Sequence, residues 1–135
     1  MRGSAAAHYQ TLDIQSMSPA RRVVFLYSFI LGQLRQAKHN IAAEDSDPRN
    51  ACLGKAQDGV NELLIALDRD RGGQFADRMA SLYAYFLKEL MALSMKPNIE
   101  RLDRLISMVE SLHDAWCVAA NAVTHSESAR VHASA

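Results

Sequence analysis

The sequence predicts an all-α fold, an antiparallel up-down four-helix bundle with an N-terminal docking strip and a disordered C-terminal tail. Three observations carry this. Apolar residues recur at steps of four and three along four successive stretches, the spacing that lines one face of a helix. Only 6 glycines and 3 prolines interrupt 135 residues, few enough breakers to leave long stretches free to be helical. No period-two run and no Asn-Gly hairpin signal argues for strands. A chain of this length holds one core.

Each element has its own boundary signals. The first helix is expected to open at Ser18-Pro19, a hydroxyl cap followed by proline at the first helical position, with Val23, Tyr27, Ile30, Leu34, Ala37 and Ile41 as its apolar seam. The second follows Asp47-Pro48 by the same logic and carries Leu53, Ala56, Val60, Leu63 and Leu67. The third begins after Gly72-Gly73, with Phe75, Met79, Leu82, Phe86, Leu90 and Leu93. The fourth starts around Pro97-Asn98 and shows Leu102, Leu105, Val109, Leu112, Trp116, Ala119 and Val123. Amphipathic helices joined by short loops bury their seams against one another, and short connections make neighbours antiparallel. The bundle is thus expected over residues 18–123. Residues 124–135 (THSESARVHASA) lack periodicity and read as a disordered tail. The front, residues 1–17, carries Tyr9, Leu12, Ile14 and Met17 in a short nonhelical strip, enough apolar anchors to lie along a groove of the bundle.

Composition excludes several function classes. Fifteen basic residues balance fifteen acidic ones, so the basic excess of a nucleic-acid-binding domain is missing. No stretch of ~20 apolar residues predicts a membrane span, and the opening residues lack the apolar core of a secretory leader, so a cytoplasmic protein is expected. Cys52 and Cys117 are too far apart in sequence for a metal motif and too few for a disulfide framework. Glu110 and His113 have the Glu-x-x-His spacing of a carboxylate-bridged metal pair. That site needs a second such pair, which the sequence lacks, and Glu110 projects roughly 140° from its seam. Neither His39 nor His113 has the small and basic followers of a phosphotransfer histidine, and no glycine-rich phosphate loop or nucleophile signature occurs. An enzyme is not expected, nor a cofactor or metal.

Apolar side chains in excess of the seams point elsewhere. Phe25 and Phe29 sit four apart on the first helix, over ~100° from the seam centre. On the third helix the apolar arc widens through Tyr83 and Leu87 to Met91, with Ala76, Ala80 and Ala84 between, and Ile65 lies off its seam on the second. Each residue singly fits a bundle corner. Together, flanked by alanines that leave a shallow trough, they fit a site for an external helix or extended strip. Arg21 and Arg22 occupy the first turn of a helix, where the dipole prefers acids, and fit either plain solvation or an acidic partner.

The order of these motifs resembles the flagellar secretion chaperone family FliS. Residues Tyr9 to Pro19 (YQTLDIQSMSP) resemble its opening, a tyrosine ahead of a Ser/Thr-x-Ser/Thr-Pro helix start; Leu26-Tyr27 resembles its Leu-Tyr pair. Lys55-Ala56, Leu63, Leu67-Asp68, Gly72-Gly73, Ala76 and Leu82 to Tyr85 follow its central pattern, and Asp114 to Trp116 its closing Asp-Ala-Trp. The sequence departs from the family at Ser28 and Phe29 after the Leu-Tyr pair, and at Ala20, Arg21 and Arg22 after the helix start, where polar or acidic residues are usual. The resemblance implies a cytoplasmic chaperone, monomer or weak dimer, that binds the disordered C-terminal region of flagellin. It would prevent premature polymerisation and help deliver the client to the flagellar export gate. The client would wrap the bundle as helical pieces and extended links. Carried over by motif, Tyr9, Ile14, Tyr27 and Tyr83 join Phe25, Phe29, Leu87 and Met91 as expected partner-binding residues. The reading from a different class is a self-associating structural bundle without a client.

Overall fold

A computed structural model describes residues 18–133, with side chains described for 18–122; Tyr9, Ile14 and the whole front strip lie outside the described residues. Four helices follow one another, α1 (Pro19–Ala42), α2 (Ser46–Ala66), α3 (Arg69–Met95) and α4 (Ile99–Ala133). Among the described residues there is no strand.

Local chemistry sets most of the helix ends. Ser18 Oγ accepts from the Arg21 N–H at 3.3 Å while Pro19 pre-sets the first turn of α1. At the other end Glu44 takes a left-handed φ of 57°. Its N–H donates to the Ile41 carbonyl at 3.0 Å, and the Asp45 N–H reaches the Asn40 carbonyl at 3.0 Å. This is a Schellman motif with a glutamate where glycine is usual. The second helix starts earlier than expected. Ser46 opens it after Asp45, so Asp47 and Pro48 sit inside its first turn, where Asp47 complements the helix dipole.

Asp68 caps α3 through Oδ1 and the Arg71 N–H at 3.1 Å, and the helix then kinks at Gly73, whose φ of 55° and ψ of −133° only glycine holds without strain. Asn98 Oδ1 accepts from the Arg101 N–H at 3.0 Å to start α4. That helix continues through Ala133, past the boundary expected at residue 124. Neither glycine nor proline stands between Thr124 and Ala133 to stop it.

Cross-helix pairs fix the topology and register. Ser28 with His113, Arg35 with Glu110 and Lys38 with Asp103 run α1 antiparallel to α4, the two ion pairs at 2.9 and 2.8 Å. Glu89 with Arg101 and Phe75 with Trp116 do the same for α3 and α4. Helix α1 packs against α2 and α4, whereas α3 leans chiefly on α2 and approaches α4 least; α1 and α3 stand diagonally and make no close backbone approach. Gly59 lets α1 and α2 close up, because a Cβ there would lie 2.6 Å from Ile30 Cγ1.

The core is built from the expected seams with three exchanges. Tyr27, Ile30, Leu34, Leu53, Val60, Leu63, Phe86, Leu90, Leu93, Leu102 and Val109 are buried, as is Leu31 beside them. Tyr83 rather than Leu82 fills the centre of α3, and Ala120 rather than Ala119 the end of α4. Phe75, expected on the seam, is 57% exposed, since the Gly73 kink sits only two residues before it. Trp116 is half-buried at the edge, its ring 6.5 Å from that of Phe75.

Candidate partner-binding surface

Phe25 and Phe29 are half-buried on α1, their rings four residues apart. Phe25 joins Arg21, Val24 and Ser28 in one wall of a groove whose other wall is Cys117, Ala120 and Asn121 of α4; its volume is about 420 Å³. Helical packing explains the groove. Opposite Phe25 the α4 wall offers only small side chains, so the space between the helices is not filled. The result is an apolar floor with Arg21 and Asn121 as polar groups, room for one or two side chains of a partner. Phe29 turns toward α2, where its Cδ1 lies 3.4 Å from the Cβ position of Gly59.

Tyr27 and Tyr83, carried over by motif as partner-binding residues, are 0% and 1% exposed. They meet across the diagonal of the bundle, hydroxyl to hydroxyl at 2.6 Å, with ring centroids 6.4 Å apart. Burial raises the pKa of both phenols above the ordinary tyrosine range. For Tyr27 the bond to Tyr83 adds to that shift and the Trp116 indole opposes it; for Tyr83 the bond to Tyr27 works against it. Both therefore stay neutral, one hydroxyl donating to the other inside a largely apolar core. Their contribution is to the bundle, and neither reaches a partner laid on its surface.

Leu87 is half-buried against the core and Met91 is 61% exposed, both on α3. Because α3 stands diagonally from α1, these two residues cannot share one groove with Phe25 and Phe29. The structure divides the expected site into two faces. It also exposes apolar residues that the sequence pattern placed in the core, as Phe75, or did not single out, as Tyr85 and Met108. Tyr85, 44% exposed, and Phe75 flank the side where α3 and α4 approach least, and Met108 is partly exposed on α4 between Arg101 and Trp116. The signal for Tyr85 was present, since it stands two residues after Tyr83 and off the seam; its place on the α4 side follows only from the pairing of Glu89 with Arg101.

One constellation invites a catalytic reading. Ser28 Oγ lies 2.9 Å from His113 Nε2, and His113 Nδ1 faces Asp114 Oδ1 at 3.2 Å. Acyl transfer would also need donors aimed at a developing oxyanion. Ser28 stands inside α1, where backbone amides are committed to carbonyls one turn back, so its own surroundings supply no such cradle. Glu110 pairs with Arg35 at 2.9 Å and does not converge with His113. Among the described residues no group of three or more His, Cys, Asp or Glu side chains could hold a metal ion, and no helix is long and apolar enough to cross a membrane.

Comparison with known proteins adds to this geometry. The family model described as "Flagellar protein FliS" matches residues 1–123. The chain is similar to the "Flagellar secretion chaperone FliSB" of Pseudomonas aeruginosa, 26% identical over 116 residues that cover 83% of this chain and 92% of that protein. It is similar also to the "Flagellar secretion chaperone FliS" of Campylobacter jejuni, 28% identical over 99 residues, covering 73% and 77% respectively. The protein of that name from Bacillus subtilis is 27% identical over 108 residues, 80% of each chain.

Proposed function

This chain belongs to the flagellar protein FliS family, and on that premise we propose that it is a cytoplasmic export chaperone for the disordered C-terminal region of flagellin. In this reading it keeps flagellin from polymerising prematurely and helps hand it to the flagellar type III export gate. The observation that carries the reading is the distribution of apolar side chains the core does not fully enclose. They stand on diagonal helices, half-buried Phe25 and Phe29 on α1 and half-buried Leu87 with exposed Met91 on α3. A single docked helix covers one such face. An unstructured client that orders as it binds can wrap both, trading conformational entropy for buried apolar area. The relatives' names are those of flagellar secretion chaperones, which supports a client-holding role and no chemistry.

The front strip has a place in this scheme. The chain enters α1 at Ser18, one turn from Arg21 and two from Phe25. Ile14 and Tyr9 precede that helix start by four and nine residues in the sequence, a length of chain sufficient to reach the α1–α4 groove. We assign residues 9–17 to covering or bordering that groove until the client arrives. The test is co-purification of the full chain with a flagellin C-terminal fragment, followed by amide hydrogen exchange. The expected result is a complex in which residues 9–17, α1 and α3 change protection. Failure to capture the fragment, with an apparent mass that rises with concentration in its absence, would favour the self-associating bundle. Capture with no change in residues 9–17 would reject the role given to the strip.

A further inference from the structure

We propose that the side between α3 and α4 is a docking slot for a second partner, an amphipathic helix that carries carboxylates beside its apolar face. The inference goes beyond the flagellin reading and rests on other side chains. Glu89 faces Arg101 and Phe75 faces Trp116 across this side. Helical steps of seven and four put Arg78, Tyr85 and Glu89 along the α3 edge, and steps of three and four put Arg101, Arg104 and Met108 along the α4 edge. Of the neighbouring helices these two approach each other least, and Phe75, Tyr85 and Met108 stand exposed between them. The stretch from Phe75 to Glu89 lies beyond the Gly73 kink and is about 21 Å long at 1.5 Å per residue, four turns of an occupant helix.

Charge complementarity selects the occupant. Glu89, the acid on these edges, is already taken, for Arg101 donates to both of its oxygens, through Nε and through Nη2, the latter at 2.9 Å. That bond holds the Glu89 carboxyl below the usual carboxylate range against the effect of its burial, and Arg104 and Lys88 add to it through space. Among the described residues Arg78, Lys88 and Arg104 make no ion pair of their own. Three exposed cations thus border Tyr85 and Met108 with no acid left to answer them, in a chain whose formal net charge is zero. Apolar anchors rimmed by unmatched positive charge fit a helix whose leucine-type face is flanked by glutamate or aspartate. Leu87 and Met91, assigned above to flagellin, lie roughly 120–160° around α3 from Tyr85 and Glu89, on the edge toward α2. The slot is therefore a separate surface.

A fluorescent peptide of about five helical turns, with leucines on one face and glutamates beside them, tests this on the full chain. Its counterpart has lysines in place of the glutamates. The expected result is saturable binding of the glutamate peptide near one equivalent, weakening as salt rises, and no binding of the lysine peptide. Tyr85→Ser weakens binding at least about tenfold as loss of a central anchor. Arg78→Glu and Arg104→Glu each weaken it by about three- to tenfold. Lys55→Glu, on α2 and diagonal from α4, changes nothing. Circular dichroism of each variant verifies that it remains folded. A flagellin C-terminal fragment added in excess leaves the peptide bound, and the peptide arms decide the slot whether or not flagellin is the client. Failure of the glutamate peptide to bind, equal binding of the two peptides, undiminished binding by Tyr85→Ser and Arg104→Glu, or displacement by the flagellin fragment would overturn the proposal.

Discussion

At the scale of single residues, the bundle separates side chains that hold it together from those it leaves available. Leu63 and Val109 are almost wholly buried, and truncation of either to alanine is expected to lower folding stability by ~2–5 kcal/mol through lost burial and the cavity left behind. Tyr83 behaves as part of the same set. Tyr83→Phe keeps the ring but deprives the Tyr27 hydroxyl of its 2.6 Å partner, which should lower stability by ~1–3 kcal/mol. Denaturant midpoints measure both, and a Tyr83→Phe protein as stable as its parent would contradict the buried pair. Tyr83 also marks where the sequence falls short. Spacing placed it at the flank of an ideal wheel, and motif likeness placed it at a partner surface. Both miss that its hydroxyl has a mate 56 positions away, because a contact across the diagonal leaves no local pattern. Phe75 erred in the opposite sense, since a kink at Gly73 resets the helical phase that periodicity assumes to be continuous.

At the scale of elements, the helices and their starts at Ser18 and Asn98 were legible because each is written in a cap residue that bonds within one turn. The end of α1 was not, for its Schellman turn lacks the glycine that advertises one. Glu44 holds the left-handed position at the usual penalty for a side chain with a Cβ. Glu44→Gly is therefore expected to raise stability by ~0.5 kcal/mol, the relieved strain being partly offset by the extra freedom of glycine when unfolded. Glu44→Val, β-branched, should lower it by ~1 kcal/mol or more. The two denaturation curves check this, and the reverse order of stabilities would refute the assigned turn. The extension of α4 to Ala133 has a similar cause. Sequence reading ended the helix where apolar periodicity ended, but a helix with no breaker in its path needs no apolar face to continue from a nucleus already formed.

At the scale of the whole molecule, seams and short loops made the bundle legible, whereas the candidate site was only half so. Apolar excess on α1 and α3 could be counted from the sequence. That α1 and α3 stand diagonally could not, because helix adjacency depends on how four seams share one core. On the proposed function the client would be held on two faces, which calls for an extended partner rather than a single docked helix. The central claim is that Phe25, Phe29, Leu87 and Met91 hold this client without holding the fold. Calorimetric titration of a flagellin C-terminal fragment into Phe25→Ser, Phe29→Ser, Leu87→Gln and Met91→Gln, each paired with its denaturation curve, tests it most directly. The predicted result is a large negative heat-capacity change of binding for the parent. At least one variant on each helix should weaken binding by ~1–4 kcal/mol, with folding stability little altered. If the four variants unfold the protein while the folded remainder binds as before, or if all bind as the parent does, the two-faced client surface is contradicted.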